Sequence, residues 1–111
     1  MTDRLRSDVH VGALLRRVND AGGMAVVLAR GEAQDGALLI VTFDKGVFTG
    51  IYQREPQGQA AATLARIGPA DSADAQSITD FWHRRRQFDP DLWVIELDIA
   101  SAERFAAETI L

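Results

Sequence analysis

Phe88-Asp89-Pro90-Asp91-Leu92-Trp93-Val94-Ile95-Glu96-Leu97-Asp98, entered from the basic run His83-Arg84-Arg85-Arg86, decides how this chain is read. Pro90 biases Asp89 away from helical geometry, so a helix running into this stretch ends near Phe88. The aspartates on either side of Pro90 bond readily to local backbone N–H groups and mark a turn. Leu92 to Ile99 then reads as a strand, in which Glu96 and Asp98 share a face opposite Trp93, Ile95, Leu97 and Ile99. Helix, sharp turn and strand thus follow one another, and His83 to Asp98 gathers three arginines, four carboxylates, a histidine and a tryptophan.

Working outward, the helix that delivers this block starts near Ser72 or Ala73 and runs to Gln87. Ala75, Ile78, Phe81, Trp82 and Phe88 define its inward arc on a helical wheel. Arg85 falls inside that arc, whereas Arg84 and Arg86 fall outside it. A guanidinium aimed at a core must reach the rim or meet a carboxylate, because an unpaired buried charge is very costly. Arg85 is therefore expected to pair with Asp91, Glu96 or Asp98. At the other end of the chain, Val11, Leu14, Leu15 and Val18 form the buried stripe of a helix from Ser7 or Asp8 to Ala21. Ser7 or Asp8 would cap it, and Gly22-Gly23 would end it.

Between the helices, Met24–Arg30, Ala37–Phe43 and Val47–Gln53 read as strands. Leu38-Leu39-Ile40-Val41 is apolar at both parities, as in a central strand covered on both faces. Asp44-Lys45-Gly46 makes a tight turn. Parity puts Phe48 and Tyr52 on one face and Val47 and Ile51 on the other. The three strands are expected to form an antiparallel meander. Glu55 to Gln59 interrupts the pattern, Ala60–Ile67 is read as a short fourth strand, and Ser101 would cap a last helix through Phe105, Ala106 and Ile110. The expected fold is a single α+β domain over residues 1–111. It has a mostly antiparallel sheet of four to five strands, two longer helices and a short C-terminal one.

Composition narrows the function. A chain of 111 residues with 47% hydrophobic and 25% charged side chains has the make-up of a soluble globular domain. A net charge of −4 and a pI near 5.0 argue against a dedicated nucleic-acid binder. With no cysteine, thiolate metal sites, disulfides and cysteine nucleophiles are excluded. Met1 to Arg6 is charged and lacks the apolar region of a signal peptide, and no apolar run approaches bilayer length. A cytoplasmic location is expected, with no membrane contact and no cofactor.

The candidate polar cluster is His83, Arg84, Arg85, Asp89, Asp91, Glu96 and Asp98. Its structural reading is macrodipole complementation by the basic residues, a turn at Asp89-Pro90-Asp91 and a solvated strand face at Glu96 and Asp98. Read functionally, two or three of the carboxylates would ligate Mg²⁺ or Mn²⁺ while the arginines hold a phosphate. That would make a metal-dependent enzyme acting on phosphate esters or nucleic acid, or a nucleotide-binding protein. Supporting parts are few: Lys45 is the sole lysine, and His10 and His83, the two histidines, lie in separate elements. No serine has the context of a nucleophile elbow, and the glycines make no phosphate loop. The preferred reading is a non-enzymatic accessory domain working through a protein partner or as a homo-oligomer. Its interaction surface would be the outer sheet face around Phe48 and Tyr52.

Three segments suggest a family: the helix ending Leu14-Leu15-Arg16-Arg17 and then Ala21-Gly22-Gly23; the hairpin from Val27-Leu28-Ala29-Arg30-Gly31 to Gly36-Ala37-Leu38; and above all Arg86 to Glu96. Together they resemble a small bacterial family, mainly alphaproteobacterial, known as the domain of unknown function numbered fourteen ninety-one. The resemblance covers nearly the whole chain, and Phe-Asp-Pro-Asp-Leu-Trp is its most specific block. It implies a short, single-domain cytoplasmic protein and brings no activity, substrate or catalytic residue.

Overall fold

Apolar side chains on both faces of two strands dictate the layering. In the computed structural model, which describes residues 6–57, 60–70 and 73–111, the elements follow in the order α1 (Ser7–Asp20), β1 (Met24–Ala29), β2 (Leu38–Asp44), β3 (Val47–Gln57), β4 (Ala60–Ile67), α2 (Ala75–Phe88), β5 (Trp93–Asp98) and α3 (Ala102–Ile110). The strands make one sheet ordered β1-β5-β2-β3-β4. β5 runs parallel to β2 and every other pairing is antiparallel. The fold is therefore α+β with a mixed, mostly antiparallel sheet.

Val11, Leu14 and Val18 of α1 and Ala102, Ala106 and Ile110 of α3 cover Leu38, Ile40, Trp93, Ile95 and Leu97 on one face. Ile78, Phe81 and Trp82 of α2 cover Leu39, Val41, Ile51, Leu92 and Val94 on the other. β2 is central and two-sided, as its sequence implied. The expected β1-β2-β3 meander is not formed, because β5 lies between β1 and β2 and the meander is β2-β3-β4. The physical reason is burial. Residues 92–95 and 97 are almost wholly inaccessible, whereas Met24 and Val26 are 66% and 44% exposed. The strand with two apolar faces takes the interior, and β1 is left at the edge.

Five local features differ from what the sequence predicts. Ser7 and Asp8 do not cap α1 with their side chains. Ser7 lies inside the helix and its hydroxyl donates to Gly36 O at 2.6 Å. The helix's first amides, Ser7 N and Asp8 N, donate to Gln34 O and Ala33 O instead, so loop carbonyls satisfy the free N–H groups. Ser101 also makes no side-chain cap, since its left-handed backbone (φ 55°) departs from the extended geometry a capping hydroxyl needs.

Phe48 and Tyr52 do not share a face, because a bulge between Thr42 and Phe43 shifts the register. Phe48 joins the α2-side core and Tyr52 packs on the opposite one. Phe88 points outward, 86% exposed, since it lies at the margin of the α2 arc in the last helical residue. Finally, β3 continues through Pro56 to Gln57. Its pairing with β2 covers Leu39 to Asp44 and reaches Gln53, so beyond that residue β3 has a neighbour on one side only, where proline is tolerated. Ser72, the other expected start of α2, lies outside the described residues, and Asp74 caps that helix by accepting from Ser77 N at 2.8 Å.

Candidate functional site

Arg86, Trp93 and the loop Gly31–Gly36 form the polar centre of the 88–98 block. The Arg86 guanidinium donates to three backbone carbonyls: Leu92 O at 3.1 Å, Arg30 O at 3.0 Å and Pro90 O at 2.9 Å. The helix end, the turn and the end of β1 are thereby held to one side chain. Trp93 lies in the sheet core and donates through Nε1 to Glu32 O at 2.8 Å, with the Arg30 guanidinium 5.1 Å above its ring. Glu32 N donates to Asp91 O at 2.9 Å. The Glu32 carboxylate closes its own loop by accepting from Gln34 N and Asp35 N. Asp89 Oδ1 accepts from Asp91 N at 3.2 Å, a local turn bond. Nearly all of these bonds use backbone groups, which makes the centre a structural clasp.

Arg85 is half-buried, as its wheel position required, but it pairs with none of the three carboxylates proposed for it. Its guanidinium donates to Gln53 Oε1 and lies over the Phe81 ring. β3, the strand beneath that part of α2, presents a neutral amide there, while Glu96 and Asp98 lie on β5. Arg84 and His83 are exposed, with His83 stacked on Trp82 at 4.0 Å between ring centroids. Asp91 is exposed as well. Sequence reasoning missed Arg86 because it looked for charges aimed at charges, and this arginine is aimed at carbonyls. Gly31 and Gly36 bracketing Glu32 were the available signal for the loop.

Asp98 and Glu96 do share a face, the one covered further along by α2. Asp98 accepts from Lys45 N at 2.7 Å and Gly46 N at 3.0 Å. The β2–β3 turn has positive φ at both central residues, 51° and 81°, as two-residue hairpins prefer, and the Asp98 carboxylate fastens it to β5. Glu96 is flanked by Val26 of β1 and Val41 of β2. Burial against these apolar neighbours, and secondarily the negative charge of Asp98, push the Glu96 carboxyl above its ordinary value of 4.5.

The group therefore favours the folded state fully only below 4.5, and that contribution is lost as pH rises through the elevated folded-state value. Glu96→Gln is expected to raise Tm at neutral pH and to leave it nearly unchanged well below 4.5. Paired thermal melts at the two pH values check this, and an equal shift at both would discount ionisation as the cause.

Among the described residues, no three of His, Asp and Glu gather so as to hold a metal ion, and no helix is long and apolar enough to cross a membrane. The class defined is an α+β domain whose most elaborate polar constellation serves its own backbone. The chain belongs to the DUF1491 family of proteins of unknown function, whose model matches residues 5–107. A crystal structure of a DUF1491 family protein from Caulobacter crescentus CB15 is similar, with a TM-score of 0.78 and 27% identity over 91% of this chain and 94% of that one. An NMR structure of a DUF1491 family protein from the same organism gives 0.77 and 26%, over 94% of each chain. A solution structure of a protein from A. tumefaciens gives 0.72 and 27%, over 98% of this chain and 93% of that one. A comparison with curated proteins found no match.

Proposed function

We propose that this protein is a non-catalytic accessory domain that binds another protein through the open edge of its sheet, at β1. One observation carries the reading. Met24-Ala25-Val26-Val27-Leu28-Ala29 is an edge strand with no charged residue and no proline, and its Met24 and Val26 side chains stand exposed. Edge strands are ordinarily blunted by charge, proline or cover, because unpaired N–H and C=O groups invite another strand. Here a bulge between Val27 and Ala29 blunts only the far end. Among the described residues no hydrogen bond outside the regular ladders involves residues 24–29. Three of the residues that suggested metal-dependent phosphate chemistry support this reading by being engaged elsewhere: Asp98 on the Lys45–Gly46 turn, Asp89 on the Asp91 amide and Arg85 on Gln53.

Capture from bacterial lysate on immobilised wild-type and Val26→Lys chains tests the proposal. Lysine on an edge strand opposes pairing. Proteins held through β1 should fall about tenfold on the variant, equivalent to about 1.4 kcal/mol, with its Tm kept or raised, since the new lysine would stand directly across from Glu96. The same proteins retained equally by both chains would overturn the reading. So would a saturable thermal shift with Mg²⁺, Mn²⁺ or a nucleotide that Glu96→Gln and Asp98→Asn abolish.

A further inference from the structure

We infer that the β1 edge receives an extended, basic segment of a partner protein, which adds as a further strand and sets a Lys or Arg side chain against Glu96. The inference rests on the binding reading above and names the chemistry of its partner. Antiparallel neighbours share a face, so Val26 and Glu96 form one cross-strand row, and Met24 and Asp98 the next. Both rows lie on the face that carries α2, yet α2 leaves Met24 and Val26 exposed. A strand added outside β1 would place a side chain beside Val26 on this same face, about 10 Å from Glu96, two strand spacings away. A lysine or arginine there reaches across Val26 to the carboxylate, while its apolar neighbours cover Val26 and Met24.

Glu96 has what such a cation would complement. It is partly buried between two valines, and no hydrogen bond or ion pair engages its side chain among the described residues. Burial, and secondarily the negative charge of Asp98, raise its pKa, and a cation brought beside it would oppose both effects. Asp98 adds a second negative charge along the strand, and its oxygens are already engaged by the Lys45–Gly46 turn. A shallow cleft of about 340 Å³ continues from the start of β1, lined by Gly23, Met24, Asp44, Lys45, Asp98 and Ile99. Its two carboxylates outnumber its one ammonium. The net charge of −4 acts in the same direction at long range. A second copy of the chain suits the edge less well. Residues 24–29 contain no cation, and self-pairing would set two Glu96–Asp98 pairs on one continuous face.

The test titrates the full-length ¹⁵N-labelled chain with two short synthetic peptides, one alternating valine and lysine, the other alternating valine and glutamate. The lysine peptide should shift the amides of residues 24–29 and bind about tenfold or more tightly than the glutamate peptide, a difference of about 1.4 kcal/mol. Glu96→Gln, which should keep or raise Tm, should remove that preference. Equal affinity for the two peptides with shifts in β1 would overturn the charge assignment and leave the edge-binding reading standing. Shifts confined to other elements, or no saturable shift at all, would overturn the docking of a basic strand here. Concentration-dependent β1 shifts without peptide, matched by a dimer in sedimentation, would make a second copy the occupant and overturn the inference while preserving the open edge as a binding site.

Discussion

Gly31→Ala is expected to unfold this protein at temperatures the wild type survives. A Cβ built at Gly31 would fall on the Asp91 carbonyl oxygen and within 2.7 Å of the Trp93 backbone nitrogen and 2.6 Å of Trp93 Cδ1. The atoms it meets are mainly backbone, and the Asp91 carbonyl is held in place by Glu32 N. Nothing there yields as the end of a flexible side chain would. The requirement is for close approach, because Gly31 is not among the positive-φ residues. Overpacking of this kind costs about 3 kcal/mol or more, a fall in Tm of roughly 10 °C or more in a domain of this size. Gly12 supplies the control. It lies inside α1 with no atom within 4 Å of its built Cβ, and alanine there should stabilise by up to about 1 kcal/mol. Denaturant melts of both variants check the pair. A Gly31→Ala chain as stable as wild type would mean that the loop does not lie against the turn.

Periodicity made nearly every element legible in the sequence, since Val11-Leu14-Val18 and Leu38 to Val41 report burial directly. Strand order was less accessible because pairing is a tertiary choice. Met24 to Ala29 and Trp93 to Asp98 are both short apolar runs, and adjacency in sequence favoured joining β1 to β2. The better clue was unequal demand for cover. Trp93, Ile95 and Leu97 need one face buried while Leu92 and Val94 need the other, which only an interior position supplies. Bulges were invisible at this level. The one between Thr42 and Phe43 separated Phe48 from Tyr52 and moved the expected interaction surface into two cores.

Of the polar cluster, the aspartate turn and the shared face of Glu96 and Asp98 were readable from spacing alone. The partner of Arg85 was not, since a helical wheel gives direction and says nothing of what lies beneath. Exposure at β1 was hidden for a related reason: Met24 and Val26 resemble any buried strand residues until the sheet's edges are assigned. Of the polar residues that attract attention in the sequence, Arg85, Asp89 and Asp98 are occupied by the fold. The surface proposed to take a partner is composed of residues the sequence presents as core.

Arg86 supplies the sharpest separation between these two kinds of residue. Arg86→Leu removes a charged donor from Leu92 O, Arg30 O and Pro90 O together. The contact with Leu92 O is partly buried, so water replaces it poorly. Hydrogen bonds from charged groups contribute about 1.5–3 kcal/mol, and an acceptor left without its donor adds its desolvation penalty. A loss of about 3 kcal/mol is expected in urea melts. Arg86→Lys should recover only part of it, because one ammonium cannot span three carbonyls that a planar guanidinium bridges. Arg85→Met removes a bond to a neutral amide and keeps apolar contact with Phe81, so its loss should be nearer 1 kcal/mol. Hydrogen exchange distinguishes the clasp from a general loss of stability. In Arg86→Leu the Glu32 amide and Trp93 indole N–H should exchange faster by a larger factor than the amides of β2. Uniform acceleration across the sheet would instead make Arg86 one contributor among many.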